Sequence, residues 1–476
     1  MSKTKNSNRY ILSIVPIIAL AGLLFGYDTA VISGAEQSVQ KYLIDSLGLG
    51  SFAHGFTVSS ALIGCVIGGF MSGFLANKIG RKKTLILAAL LFSVSAFTSA
   101  YPELLFFTVD EQTIGLLIMF NIYRVIGGIG VGIGSAIAPV YISELTPKQS
   151  RGKYVALYTL SIGIGALIVY IVNMNIASGQ TTAWIDDLGW RYMFASELVP
   201  ALLFFLLLFF VPETPRYLAL KQDYNKAATI LKKVNGSKEK AQSILTDIKN
   251  SVHFESDKKI SIFAYGKLVL FVGIMIAIFQ QFLGINVILY YAPRIFAELG
   301  AGQSASMLQT VIVGIVNVVF QALAILLIDS IGRKPMLIGG SILCAFNLFM
   351  VAVLAYFEIF GISTLIFILL FAASFQLTWG VATWVVVSEI FPNQIRGQAV
   401  SIATALHWIA NLTVSSTFPP IQDVLGGMAF SIYAVLSLFA ALFIWKFVPE
   451  TKGKTLEELE EIWLDDSSSS KKKAVQ

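Results

Sequence analysis

Long apolar runs, separated by short polar loops, follow one another along almost the whole chain. Each run approaches or exceeds the roughly 20 residues that an α-helix needs to cross a bilayer. Membrane-spanning helices are predicted at approximately 10–35, 53–77, 84–105, 114–143, 152–177, 190–211, 264–297, 304–330, 335–357, 361–390, 397–420 and 426–448. The pattern therefore predicts an all-α polytopic membrane protein with twelve transmembrane helices.

One segment in the middle of the chain departs from this pattern. It is polar and rich in lysine, and its apolar residues recur at helical spacing, as at Ala227, Ile230, Leu231 and Val234. Such periodicity is typical of amphipathic helices. The predicted organisation is a six-helix half at 1–211, a cytoplasmic helical linker at 212–262, a second six-helix half at 263–448 and a cytoplasmic tail at 449–476.

Three short motifs occur twice, in the same order and at nearly the same separation. The repeated pairs begin at Gly80 and Gly332, at Glu144 and Glu389, and at Pro212 and Pro449. Two parallel repeats related by an axis along the membrane normal are a known plan of transporters. In that plan the substrate site lies between the repeats near the middle of the membrane.

Composition excludes a soluble protein, because 56% of the residues are hydrophobic and only 13% are charged. Soluble domains carry about a quarter of charged residues. The net charge of +6 does not indicate a nucleic-acid partner, since the basic residues lie in loops between spans. These basic loops alternate with acidic loops, which predicts that the basic side and both termini are cytoplasmic.

Metal and catalytic chemistry are not predicted. Cys65 and Cys344 both lie in apolar runs, and the three histidines are widely scattered. Neither a disulfide framework nor a metal-ligand spacing is apparent. We therefore expect no cofactor and no metal, and no enzymatic activity.

Asp28 lies inside the first predicted span, where an ionised carboxylate is costly unless it is protonated or paired. Its expected partners are Arg124 in the fourth span and Glu197 in the sixth. Together they form a predicted proton-coupling site. The alternatives are a carboxylate near the outer interface that stays hydrated, and a static structural ion pair.

The seventh span carries Gln280, Gln281, Asn286 and Tyr290 on adjacent turns. Amides both donate and accept hydrogen bonds, as binding a neutral polyol requires. Trp379 and Trp384 in the tenth span offer apolar platforms and N–H donors. These residues are predicted to bind sugar, although interhelical hydrogen bonding would also explain buried amides.

Charged residues also recur at the basic ends of the spans. We expect salt-bridge networks between the halves there, acting as a cytoplasmic gate, although positive-inside topology would also explain the arginines. The gate candidates are Arg81, Glu144, Arg151, Arg333, Glu389 and Arg396.

Four motifs resemble those of the sugar porter family of the major facilitator superfamily. They are Pro212-Glu-Thr-Pro215-Arg216-Tyr-Leu218, the paired Glu…Arg-Gly repeats, Gln280-Gln281-Phe-Leu-Gly284-Ile285-Asn286 and Pro449-Glu-Thr-Lys-Gly453. The resemblance covers residues 10 to 463. It implies the major facilitator fold, a bacterial inner-membrane location, and sugar contacts that also include Asn317 on the eighth span.

The resemblance extends to the branch of this family that couples D-xylose import to protons, with three departures. Where that branch carries sugar-binding glutamines, this chain has Thr159, Ala166 and His407. Thr159 and His407 are counted among the predicted sugar-binding residues. We expect a monomeric, proton-coupled symporter for a pentose or hexose, with D-xylose as first choice. A passive facilitator and a non-transporting sugar sensor are the alternatives.

Overall fold

A computed structural model describes residues 2–104, 106–108, 112–147, 149–254, 261–263, 265–298, 300–392, 394–454 and 458–459. The predicted tail at 449–476 lies mostly outside the described residues, as does the stretch 255–260 of the predicted linker.

The described residues are almost entirely helical. The α-helices α1 to α19 are, in chain order, Ser2–Val39, Ser51–Ile79, Arg81–Ala100, Ile114–Leu145, Arg151–Ala177, Thr182–Trp184, Trp190–Ser196, Leu198–Leu208, Pro215–Leu220, Tyr224–Asn235, Lys238–Phe254, Lys267–Phe282, Ile285–Glu298, Gln303–Ile331, Arg333–Tyr356, Ile362–Leu377, Trp379–Ile390, Arg396–Leu425 and Phe430–Phe447. Short π-helical turns (Gln40–Ile44, Ile185–Gly189) and 3-10 turns (Asp45–Leu47, Gly426–Ala429) connect some of them.

Eleven helical segments of the described chain are long and apolar enough to cross a membrane. The last of them, Arg396–Phe447, has 52 residues, more than twice the length of one crossing. It contains the 3-10 turn Gly426–Ala429, which separates α18 from α19. Counted as two spans, it brings the total to the predicted twelve, and the all-α fold class is confirmed.

The seventh and tenth predicted spans are both present, and each is interrupted within its length. The predicted helix at 264–297 is divided at Gly284, whose φ of +88° is incompatible with a right-handed helix. The predicted helix at 361–390 is divided at Thr378, where φ and ψ are −123° and −82°. Both breaks lie beside predicted sugar-binding residues, and helix breaks at depth are tolerated where backbone is buried in protein or lines a cavity.

The polar linker folds as the three helices α9, α10 and α11. Thr214 and Asp223 cap the first two, each accepting a hydrogen bond from a backbone N–H three residues later. The apolar stripe of each helix meets the others in one small core, formed by Ala219, Ala227, Leu231, Ala241 and Leu245. Burial of that stripe explains why a segment so rich in lysine is helical.

The chain divides into two compact units. Unit 1 comprises Met1–Val31, Ile63–Val172 and Asp187–Lys259, and unit 2 comprises Ile32–Leu62, Asn173–Asp186 and Ile260–Gln476. Residues 2–31 of α1 thus belong to unit 1, and residues 32–39, the last two turns, belong to unit 2. Each unit contributes one group of the candidate site residues.

Glycines bring the helices of unit 1 into backbone contact. A Cβ atom on Gly26 of α1 would overlap the carbonyl oxygen of Ile162 in α5. One on Gly64 of α2 would overlap the carbonyl oxygen of Val125 in α4. Small residues permit such close approach in membranes, where packing rather than the hydrophobic effect holds helices together. This packing fixes the helices that carry Asp28 and Arg124.

Candidate functional site

A fully buried ion pair lies at the centre of unit 1. Arg124 Nη1 of α4 donates to Asp28 Oδ1 of α1 at 2.8 Å, and Nη2 donates to the Asp28 carbonyl oxygen at 3.1 Å. The Asp28 and Arg124 side chains are 0% and 1% exposed. The guanidinium also lies over the Phe194 ring, with 5.3 Å between its Cζ atom and the ring centroid. The predicted partnership of Asp28 with Arg124 is therefore present in the structure.

Glu197, which joins α7 to α8, completes a group of three ionisable residues. Its carboxylate is fully buried and interacts with both Asp28 and Arg124. No N–H or O–H group in the described chain donates to either of its oxygens. Two carboxylates and one guanidinium would carry a net negative charge, and uncompensated buried charge is expensive. With one proton bound, the group is neutral.

The predicted sugar-binding amides of unit 2 form a hydrogen-bonded chain. Gln281 Nε2 donates to Gln280 Oε1 at 2.5 Å, and Asn286 Nδ2 donates to Gln281 Oε1 at 2.5 Å. These hydrogen bonds span the break at Gly284, since the two glutamines lie in the last turn of α12 and Asn286 lies in the first turn of α13. Each amide presents a donor and an acceptor to its neighbour, so the same groups can exchange these bonds for sugar hydroxyls.

His407 of α18 belongs to the same group. Gln281 Nε2 lies 3.0 Å from His407 Nε2, and His407 Nδ1 lies 3.3 Å from the Ala277 carbonyl oxygen. Because a carbonyl oxygen only accepts, Nδ1 carries the proton and Nε2 accepts from the amide. The Trp384 ring meets the imidazole edge-on, with 5.0 Å between the centroids. Three predicted residues from three helices are thus brought together.

A second hydrogen-bonded chain links α13 to α18. Asn411 Nδ2 donates to the hydroxyl of Tyr290 at 3.3 Å, and Ser415 Oγ donates to Asn411 Oδ1 at 3.0 Å. Tyr290 was predicted, whereas Asn411 and Ser415 were not among the candidate site residues. Their spacing of four residues from His407 to Asn411 to Ser415 places all three on one face of α18 and is a signal in the sequence.

The remaining predicted sugar contacts differ in their surroundings. Trp379 is fully buried, and its indole N–H donates to Ser341 Oγ at 2.9 Å and to the Leu337 carbonyl oxygen at 3.1 Å. Its N–H is therefore engaged in helix packing rather than available to a sugar hydroxyl. Asn317 is buried, and its Oδ1 has no hydrogen-bond partner in the described part of the chain. In unit 1, Thr159 is half-buried, with its hydroxyl 3.3 Å from the Val155 carbonyl oxygen.

The repeated glutamates make equivalent bonds within their own units. In unit 1, Glu144 accepts from Arg81 Nη2 at 3.0 Å and from Thr214 Oγ1 at 2.6 Å. The equivalent bonds in unit 2 join Glu389 to Arg333 at 3.1 Å and to Thr451 at 2.6 Å. These partners belong to the repeated motifs, which explains why the motifs recur together.

The other two gate candidates follow their glutamates in the same motifs. Arg151 is exposed, and Arg396 donates to the Phe391 carbonyl oxygen at 3.1 Å. A network between the halves remains a prediction for all six gate residues.

The chain is similar over nearly its whole length to sugar transporters. A family model described as "Sugar (and other) transporter" matches residues 14–463. The chain is 44% identical to the D-xylose-proton symporter of Escherichia coli (strain K12), with 99% of each protein covered. It is 40% identical to the arabinose-proton symporter of Bacillus subtilis (strain 168), with 96% of each covered.

A solved structure extends this similarity to the fold. The inward open conformation of the xylose transporter XylE from E. coli matches with a TM-score of 0.87 and 45% identity. The match covers 95% of this chain and 100% of that one. By sequence and by fold, this multi-pass membrane protein belongs to the sugar porter family of the major facilitator superfamily.

Proposed function

We propose that the protein is a proton-coupled symporter that imports a pentose or hexose, with D-xylose as first choice. The observation that carries the proposal is the buried group of Asp28, Arg124 and Glu197. Its two carboxylates and single guanidinium reach neutrality by binding one proton, as a proton-coupled carrier requires. The relatives are named as proton symporters for D-xylose and for arabinose, and these names support both the sugar and the proton as substrates of this protein.

The proposed cycle uses this group as its proton site. When the carrier faces outwards, a proton neutralises Asp28 and weakens its bond to Arg124. Sugar then binds at the amides of α12 and α13 and at His407, Trp384 and Asn317, with Trp379 and Thr159 as further proposed contacts. The halves exchange access to the two sides, and sugar and proton leave inwards, driven in part by about 2.3 kcal/mol per charge per 100 mV.

The same proposal assigns the topology. The halves at 1–211 and 263–448 move relative to one another, the linker at 212–262 and the tail at 449–476 lie in the cytoplasm, and both termini are cytoplasmic. The protein acts as a monomer in the lipid bilayer of the bacterial inner membrane. The six gate residues hold the cytoplasmic side closed while the carrier faces outwards.

Reconstitution in proteoliposomes tests this function. With an imposed pH gradient, acid outside, the protein should concentrate labelled D-xylose, L-arabinose or D-glucose above the external concentration. A competition panel of pentoses, hexoses and inositols identifies the sugar. Uptake that only equilibrates, whatever the gradient, would instead indicate a facilitator, and saturable binding without uptake would indicate a sensor.

Gln281→Ala should weaken sugar binding by about tenfold or more. The amide contacts Gln280, Asn286 and His407, so its removal leaves these buried groups without a partner as well as removing a sugar contact. Each such loss costs about 1–3 kcal/mol. Binding of labelled sugar to the purified protein measures the effect.

The matched control is Gln398→Ala, which truncates an exposed glutamine on α18 and should leave sugar binding unchanged. Equal affinities in both variants and in the unaltered protein would locate the sugar site elsewhere.

A further inference from the structure

A second buried ionisable cluster lies in unit 2, on the side of the acidic loops. We call Glu36, His54 and Arg294 the acidic-side cluster. Glu36 lies in the last turn of α1, His54 in the first turn of α2, and Arg294 in α13. The cluster therefore joins helices of the first predicted half to a helix of the second. None of the three was a predicted site residue.

The contacts of the acidic-side cluster are short and largely shielded from solvent. His54 Nε2 lies 3.0 Å from Glu36 Oε2, and both side chains are 0% exposed. Arg294 Nη1 lies 3.4 Å from His54 Nδ1 and 3.9 Å from Glu36 Oε2. It also donates to Gln40 Oε1 at 2.8 Å. A histidine lying between a carboxylate and a guanidinium has a different charged partner at each ring nitrogen.

These partners define the protonation state of the ring in the observed contact. A guanidinium has only donors, so His54 Nδ1 must accept from Arg294 and carries no proton. The single ring proton then lies on Nε2, facing Glu36. A second proton, on Nδ1, would remove the acceptor and place two cations 3.4 Å apart. The observed contact therefore requires neutral His54.

Two further carboxylates contact Arg294 and favour its present position. On α13, Glu298 Oε1 lies 3.1 Å from Arg294 Nε, and on α18 Asp423 Oδ1 lies 3.9 Å from Nη2. Gln422 of α18 in turn donates to Glu298. The Tyr291 ring of α13 meets the imidazole edge-on, with 6.0 Å between centroids. Since Arg294 is held by other carboxylates, relief of the repulsion requires His54 to leave.

Helix packing carries that displacement to the backbone. Gly55, the next residue of α2, lies against α18 so closely that a Cβ atom would overlap the Ser416 carbonyl oxygen. The His54 side chain is itself fully enclosed, so its departure requires the start of α2 to move away from α13 and α18.

We propose that His54 is a proton-binding site separate from the Asp28 group. His54 binds the additional proton when the contact of α1 and α2 with α13 is open, and it releases that proton when the contact closes. A ligand that binds only one conformation shifts the equilibrium towards it. In the open conformation the ring meets water and can carry a proton on both nitrogens. Because the closed contact excludes the second proton, a falling pH on the acidic-loop side weakens that contact.

Hydrogen–deuterium exchange of the full-length protein at pH 5.5 and 7.5 tests the proposal, after correction for intrinsic exchange rates. Corrected exchange in peptides covering the start of α2 and α13 should be about tenfold faster at pH 5.5 than at pH 7.5. This factor is equivalent to the loss of one charge-assisted hydrogen bond. The matched variant is His54→Gln, whose amide accepts from Arg294 and donates to Glu36 at both pH values. In it the pH effect should disappear.

The unaltered protein and the H54Q variant both contain the Asp28 group. Any pH effect of that group is therefore the same in both and cancels in their comparison. An identical pH dependence in the unaltered protein and the H54Q variant would overturn the proposal, as would no pH dependence in the unaltered protein. H54N carries the same test if H54Q is not recovered folded.

A thiol reporter gives an independent readout. Thr57, one turn after His54, is 1% exposed and is replaced by cysteine in a background with Cys65→Ala and Cys344→Ala. The labelling rate of T57C is measured with His54 present and with the H54Q substitution, at each pH. The ratio of the first rate to the second should rise about tenfold from pH 7.5 to pH 5.5. A constant ratio would contradict the proposal.

Discussion

Asp28→Asn should abolish gradient-driven accumulation of sugar while leaving sugar exchange across the vesicle membrane intact. The physical reason is the charge count of the buried group. With an amide at position 28, Glu197 and Arg124 neutralise one another, and no proton is needed to bury them. The variant should therefore fold, because Arg124 keeps an anionic neighbour, but its proton site no longer changes charge during the cycle.

The size of this effect follows from the gradient. A carrier that moves one proton with each sugar can concentrate sugar about tenfold for each pH unit, since both correspond to about 1.4 kcal/mol. The accumulation ratio of Asp28→Asn should fall to about one under the same gradient, with counterflow of labelled sugar preserved. The control is Asp223→Asn in the linker, where a half-buried aspartate pairs with the exposed Lys226 and an asparagine can still cap α10. If the Asp28→Asn variant still accumulates sugar under the pH gradient, Asp28 is not the coupling residue, and Glu197 or His407 becomes the candidate.

Glu103→Gln should strongly destabilise the folded protein, although it changes only one atom of the side chain. Arg191 Nη2 and Nη1 lie 2.6 Å and 3.0 Å from the two oxygens of Glu103, and both side chains are buried. The guanidinium also donates to the Ala100 carbonyl oxygen and lies 4.4 Å from the Trp190 ring centroid. An amide at position 103 breaks this two-bond ion pair, and breaking a buried pair costs about 3–5 kcal/mol.

The loss in Glu103→Gln should appear as a lower midpoint of thermal unfolding in detergent. Asp223→Asn again serves as control, and its midpoint should equal that of the unaltered protein, because exposed pairs contribute little. An unchanged midpoint in Glu103→Gln would mean that water reaches Arg191. Sugar binding at low temperature, where both variants are folded, separates this effect from a loss of the site.

Hydropathy predicts the helices of this protein well, because every backbone group within the bilayer must be hydrogen-bonded inside its own segment. The interruptions at Gly284 and Thr378 were not predicted, since apolar residues continue across both and hydropathy does not report φ and ψ. Gly284 carried a signal, as a glycine between amides. Thr378 carried none.

Isolated charges in apolar runs were equally predictive, because burying one without a partner is so costly. Asp28 and Arg124 form the expected ion pair, and the proton-coupling role of these two residues and Glu197 stays a prediction. The acidic-side cluster was not predicted, because Glu36, His54 and Arg294 lie near the ends of their helices, where charged residues are unremarkable. Only their three-dimensional arrangement shows that two of them are fully buried. The engagement of the Trp379 N–H by Ser341 also depends on packing that no local pattern reports.

The break at Gly284 makes α13 a lever with a functional group at each end. The helix has 14 residues, and Asn286 of the amide chain is separated from Arg294 by eight positions, about 12 Å along the axis. A tilt of α13 about Gly284 that draws Asn286 towards a bound sugar also displaces Arg294, because both lie on the same helix. We therefore expect a substitution of Gly284, whose positive φ disfavours any side chain, to affect sugar occupancy and closure of the acidic-side cluster together.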